Sequence, residues 1–170
     1  SGAVLWTQDI GAAGTGSPTA VGGTVYAIGR DNRAWALRAA DGKVLWTVAG
    51  PKSPAGYVGG PGAAVYGRIA VLPFSGGQVI AVLRQSGVRS WAAVVGGQRD
   101  GVTYASLIRD VGSDPVLDGG RVYVSNAAGK LAALDAGRGE RIWTADEGTM
   151  GTVLPAGGSV FMVTDANELV

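Results

Sequence analysis

Apolar and polar residues in this chain come in short runs separated by turns. From Asp114 onward, Pro115–Leu117 is apolar, Asp118-Gly119-Gly120 is a turn, and Arg121-Val122-Tyr123-Val124-Ser125 alternates. A second turn covers Asn126 to Gly129. The run Lys130-Leu131-Ala132-Ala133-Leu134-Asp135 follows, then a Gly-containing turn (Ala136 to Gly139), then Arg141-Ile142-Trp143-Thr144. Four runs this short, each bounded by Gly, Asn or Asp, predict a four-stranded antiparallel meander.

The same order of runs recurs. Pro18 to Ile28, Trp35-Ala36-Leu37 and Val44-Leu45-Trp46-Thr47 form one copy. A looser copy runs from Gly62 through Arg68–Val71 and Gln78–Leu83 to Trp91. Trp6, Trp46, Trp91 and Trp143 mark the end of each unit at intervals of roughly 40 to 50 residues, the period of β-propeller blades. The fold class expected is all-β, a β-propeller of four-stranded antiparallel blades.

The register divides residues 1–170 into one partial propeller domain. Residues 1–8 are expected as the outer strand of a preceding blade, because Gly2-Ala3-Val4-Leu5-Trp6-Thr7 aligns with Gly42-Lys43-Val44-Leu45-Trp46-Thr47. Blades are expected at 17–48, 62–94 and 113–145, and an incomplete blade at 152–170. Val170 aligns with Trp35, inside a strand, so a fragment of a longer propeller is expected. Its open edges would pair with the rest of the propeller or with a second copy.

Composition narrows the chemistry. The hydrophobic fraction is 46% and the charged fraction 16%, enough to bury a core. Net charge is +1, and Lys and Arg form no cluster along the sequence, which argues against a nucleic-acid partner. No apolar run reaches the ~18 residues that suggest a membrane-spanning helix. Cys and His are both absent, so no thiolate nucleophile, zinc–cysteine site or histidine base exists in the chain. Ser86, Ser90 and Ser106 have no His to activate them. Asp110, Asp114 and Asp118 recur every four residues, but Pro115 and the glycine pair exclude a shared helical face, and no calcium-loop spacing is present. They read as turn and strand-cap aspartates. No catalytic residue, cofactor or metal is expected.

Three features stand out from the repeat. The marker Trp residues 6, 46, 91 and 143 are expected to dock each blade on the next, through ring packing and the indole N–H. Trp35 lies outside that series, as a core residue or a surface contact. The connectors at 50–62 and 96–113 place Tyr57 and Val58, then Tyr104, Ile108, Arg109 and Asp110, where turn chemistry alone calls for polar residues. Either these apolar residues cover the blade ends, or Tyr104 and Ile108 anchor a protein partner while Arg109 and Asp110 orient it.

Gly120, Val122, Tyr123, Gly129, Leu131, Ala133, Leu134, Asp135, Gly139 and Trp143 together resemble the pyrroloquinoline-quinone (PQQ) repeat. That repeat is shared by quinoprotein dehydrogenases and by propellers without activity. The run Val79 to Gly87 with Trp91, and the connector end Leu107-Ile108-Arg109-Asp110-Val111-Gly112-Ser113-Asp114-Pro115, are similar to the BamB family of outer-membrane assembly lipoproteins. In the connector, Asp110, Val111 and Pro115 match the family's pattern, Ile108 stands for its Leu, and Gly112 replaces its second Asp. The resemblance covers nearly the whole chain and about half of an eight-bladed ring. It implies a non-catalytic periplasmic scaffold, held to the outer membrane through a lipid anchor outside this chain. The connectors would bind a periplasmic domain of BamA, with Tyr57 nearest to a position where well-known members carry Arg. The alternatives are a fragment of a PQQ-dependent dehydrogenase, and a PQQ-like repeat protein with an unknown partner.

Overall fold

The computed structural model describes residues 2–51, 60–96, 110–126, 129–164 and 166–170. Three complete blades are present among them. The first contains β1 (Thr19–Val21), β2 (Thr24–Gly29), β3 (Arg33–Arg38) and β4 (Val44–Ala49). The second contains β5 (Ala64–Tyr66), β6 (Ile69–Phe74), β7 (Gln78–Leu83) and β8 (Arg89–Val94). The third contains β9 (Val116–Asp118), β10 (Arg121–Asn126), β11 (Lys130–Asp135) and β12 (Arg141–Ala145). In each, the strands pair in sequence order and antiparallel. The protein is a partial β-propeller.

A fourth unit begins with the hairpin β13 (Leu154–Ala156) and β14 (Ser159–Phe161). Residues 168–170 fold back on it: Met162 and Val170 exchange two backbone hydrogen bonds of 3.0 Å, and Val163 bridges Leu169. The N-terminal segment has no partner strand among the described residues. Val4 and Leu5 are more than four-fifths exposed, and only Trp6 is packed.

Glycine closes the hairpins where the backbone needs positive φ. Gly22 and Gly23 (58° and 76°) and Gly119 and Gly120 (54° and 76°) supply the twist of primed two-residue turns. The fourth strand of every blade carries a bulge at the same place. Ala36 faces Trp46 but Leu37 faces Val44, so Leu45 is the extra residue; Ser90 and Ile142 repeat this in the next two blades.

The core lies between blades, in three successive layers. Tyr26, Ile28, Ala34, Ala36 and Trp46 of the first blade meet Ala70, Leu72, Phe74, Ile80 and Val82 of the second. The other face of the second blade, with Val71, Val79, Ala81 and Trp91, meets Val122, Val124, Ala132 and Leu134 of the third. Tyr123, Leu131 and Ala133 then meet Val153 and Met162. A central strand is therefore covered on both faces. Five of the six residues in β6 and in β10 are buried, which explains nearly continuous apolar runs where a one-sided sheet would alternate.

The N-terminal segment and the first two blades are each pinned to the next blade by a tryptophan. The indole N–H groups of Trp6, Trp46 and Trp91 donate to the carbonyls of Ala39, Arg84 and Ala136 at 2.8, 2.9 and 2.8 Å. Their rings press on Gly42, Gly87 and Gly139. A Cβ on those glycines would lie 2.5, 2.8 and 2.5 Å from ring atoms, and each has φ between 71° and 73°. Glycine is required at these positions twice over, by close approach and by backbone conformation.

Candidate functional site: the connector rim

Antiparallel order sends the first-to-second and third-to-fourth strand turns of every blade to one end. The second-to-third turns and the blade-to-blade connectors lie at the opposite end. Of the connector residues that the sequence sets apart from the repeat, Asp110 is described, and it lies on this connector rim.

Asp110 sits where the second connector returns to the third blade. Its carboxylate is buried and accepts the Gly76 N–H at 2.6 Å. Gly76 lies in the β6–β7 turn of the preceding blade with φ of 74°, so the aspartate ties the connector to that turn. The neighbouring Val111 bridges Asn126, and Gly112 donates to the Ser125 carbonyl at 2.9 Å. The connector is thus fastened to the second and third blades at once. Asp114 adds a clasp one turn later, accepting the Gly62 N–H at 2.6 Å. Thr19 donates to the Ala63 carbonyl at 2.6 Å between the first two blades.

Two asparagines make further links of different kinds. Asn32, in left-handed backbone at φ 62°, donates to the Pro51 carbonyl and accepts the Ser75 N–H at 3.1 Å. Asn126 is 1% exposed; it donates to the Val95 carbonyl and accepts the Lys130 N–H. Ser125, fully buried, both donates to and accepts from the Thr149 backbone at 2.9 Å. None of Asn32, Ser125 and Asn126 was expected as a site residue. In the alternating run 121–125, a terminal Ser reads as solvent-facing. A face covered by the next blade buries it, and burial demands the partners that Thr149 supplies.

Thr15, Asn32, Ser75 and Asp110 line a cavity of about 30 Å³ on this rim, with Ile28, Pro61, Phe74 and Val111 among its apolar walls. That volume suits a single water molecule. Among the described residues, no group of three or more acidic side chains is arranged to hold a metal ion.

Of the residues expected at a partner-binding surface, Asp110 is placed as above. Tyr57, Val58, Tyr104, Ile108 and Arg109 lie outside the described residues. Trp46 and Trp91 are buried at 8% and 7% exposure. Trp6 and Trp143 are half-buried, Trp143 against Tyr123 with ring centres 6.0 Å apart. Trp35 is half-buried in β3, its indole N–H enclosed without a hydrogen-bond partner, and the Arg33 guanidinium lies 5.9 Å from its ring.

The blade geometry and the repeat are shared with known proteins. A family model described as outer membrane protein assembly factor BamB matches residues 1–170. The chain belongs to that family. The BamB of Moranella endobia is 32% identical over 170 residues, which is 99% of this chain and 43% of that protein. The crystal structure of BamB from Moraxella catarrhalis superposes with a TM-score of 0.85 at 18% identity, over 99% of this chain and 51% of that one. A europium-containing methanol dehydrogenase superposes with a TM-score of 0.70 at 20% identity, over 84% of this chain and 27% of that one. At that identity the dehydrogenase shares the fold alone. The chain spans about half the length of the BamB proteins it matches.

Proposed function

We propose that this chain is part of a non-catalytic scaffold acting in outer-membrane β-barrel assembly. It would work in the periplasm, on a protein held to the outer membrane by a lipid outside these residues. Membership of the BamB family supports the process. The observation that carries the mechanism is the fastening of the second connector at Asp110, Val111 and Gly112 to two blades together. These bonds hold Asp110, Val111 and Gly112 at a defined place on the rim.

The proposed contact is a periplasmic domain of BamA. Tyr104, Ile108, Tyr57 and Val58 supply apolar anchors, and Arg109 supplies orientation, the mixture common at interface hot spots. Asp110 acts as the foot of this surface, its carboxylate engaged with the blade. No catalytic step and no cofactor is part of the proposal, in keeping with a chain that has neither Cys nor His.

The test is co-purification of a BamA periplasmic domain with Asp110→Arg and Asp110→Asn variants, each paired with a melting curve. Asp110→Arg removes the acceptor for Gly76 and places a cation at a buried position, so it should weaken capture and lower Tm together. Asp110→Asn keeps an acceptor oxygen and should retain most of both. Full capture by Asp110→Arg would remove the connector from the binding surface.

A further inference from the structure

The opposite rim, made of turns, is nearly the same in all three blades at the backbone and differs sharply in chemistry. The residue after the third strand donates its N–H to a carbonyl in the first-to-second strand turn in every blade. Ala39 bonds Gly23 at 2.9 Å, Arg84 bonds Arg68 at 3.0 Å, and Ala136 bonds Gly120 at 2.9 Å. The last residue of the third strand bonds the residue after the docking glycine: Arg38 to Lys43, Leu83 to Val88, Asp135 to Glu140, each at 2.8 Å. These bonds define equivalent positions independently of any sequence alignment.

At those positions the second blade departs from its neighbours. Arg84 and Arg68 stand where the other blades have Ala39 with Gly23 and Ala136 with Gly120. Where the third blade has Asp118, Asp135 and Glu140, the second has Tyr66, Leu83 and Val88, at 61%, 36% and 58% exposure. Arg89 adds a third cation at the start of β8. No carboxylate among the described residues lies within ion-pairing distance of Arg68, Arg84 or Arg89. By contrast, Arg38 of the first blade is paired with Asp41 at 2.9 Å.

Arg84 is held in place. It donates to the Gly67 carbonyl at 3.2 Å, and its guanidinium lies against Gly22 of the preceding blade, where a Cβ would come within 2.3 Å of Nη2. Arg68, Arg84, Gln85 and Ser86, with Gly67 and Leu83, line a notch of about 200 Å³. A fixed guanidinium with N–H donors to spare, beside a second Arg and a hydroxyl, is suited to a carboxylate. The exposed Tyr66, Leu83 and Val88 next to it suit apolar side chains.

We propose that this face of the second blade is a second docking surface, taking a peptide segment in which carboxylate side chains alternate with apolar ones. An anionic lipid surface is disfavoured by shape and charge. A plane laid across this rim would also meet the mixed charges of the third blade, Asp118, Asp135 and Glu140 beside Arg121 and Arg138, whereas a peptide confined to the second blade meets Arg68, Arg84 and Arg89 without the carboxylates. The site is on the rim away from the connectors and does not depend on how they bind.

The test titrates the protein with a short capped peptide alternating glutamate and leucine, followed by amide chemical shifts. A glutamine version of the peptide and vesicles containing anionic phospholipid serve as comparisons. The expected result is saturable shifts at Arg68 and Arg84–Val88. Affinity should fall about tenfold for the glutamine peptide and for the exposed-site variant Arg68→Glu. Arg84→Gln, which risks the Gly67 bond, is judged with its melting curve beside it. Equal binding of the two peptides, no binding of either, or indifference to Arg68→Glu would overturn the proposal. Retention on anionic vesicles that Arg68→Glu abolishes, without peptide binding, would also overturn it and assign the patch to lipid.

Discussion

The two rims of this propeller are built on different principles. The turn rim is periodic: the same glycines, the same carbonyl just after the third strand and the same Trp–Gly contact recur from blade to blade. The connector rim repeats some backbone bonds, with Thr15 and Gly112 donating to the equivalent carbonyls of Ile28 and Ser125, but its side-chain links are aperiodic: Asn32, Asp110, Asp114 and the Ser125–Asn126 pair each make a different one. Periodic contacts follow from stacking like units, so their loss costs stability. Aperiodic contacts position particular loops, so their loss should cost recognition as well. Within the turn rim, Arg68 and Arg84 break the period, which is why that one place bears a functional proposal.

The sharpest attack on this contrast is to remove a blade pin. Trp46→Ala deletes a buried indole between two blades and leaves the Arg84 carbonyl without its donor; it should lower stability by about 4 kcal/mol, measured by urea unfolding. Gly139→Val forces a branched side chain into positive φ and against Trp91. A loss of about 3 kcal/mol is expected, with the Trp fluorescence altered. On the connector rim, Asn126→Ala should cost about 2 kcal/mol, because the Val95 carbonyl and Lys130 N–H lose a buried partner. If Asn126→Ala proved as costly as Trp46→Ala, the division between the rims would fail.

Two smaller effects refine the picture. The Tyr26 hydroxyl is enclosed and makes no well-formed hydrogen bond, with only a loose contact to Thr24. Burial raises its pKa above the ordinary 10.0, opposed by the nearby Arg84 charge and by Thr24. A raised folded-state pKa means the folded state binds the proton more tightly. That contribution is full below about pH 10 and is lost as pH rises through the folded value. Tyr26→Phe should therefore be near neutral at pH 7 and flatten the fall in stability above about pH 10. At the exposed Arg38–Asp41 pair, Asp41→Ala should change stability by no more than about 0.5 kcal/mol through the lost ion pair, a baseline for solvent-exposed charges on the turn rim.

How much was legible in the sequence follows the same division. The propeller could be read because Trp46, Trp91 and Trp143 and the turn glycines recur in register. Ser125 and Asn126 could not, because alternation marks polar residues as exposed, and only the presence of a neighbouring blade reverses that reading. Asp110 stood out as a candidate for orienting a partner, while its buried bond to Gly76 depends on a turn 34 residues away in sequence. Arg68 and Arg84 carried a signal that the alignment of blades contained: cations where the repeat has Gly or Ala. Strand-by-strand hydrogen bonding makes those equivalences explicit; the loose second repeat obscures them in sequence alone.

Under the proposed function, the connector rim recognises a protein partner. Its most direct measurement is the affinity of a BamA periplasmic domain for the double variant Tyr104→Ala, Ile108→Ala, with Arg68→Glu on the opposite rim as the control. The expected result is a loss of about 2 kcal/mol or more for the double variant at unchanged Tm, and no loss for the control. Undiminished affinity in the double variant, or an equal loss in Arg68→Glu, would contradict it.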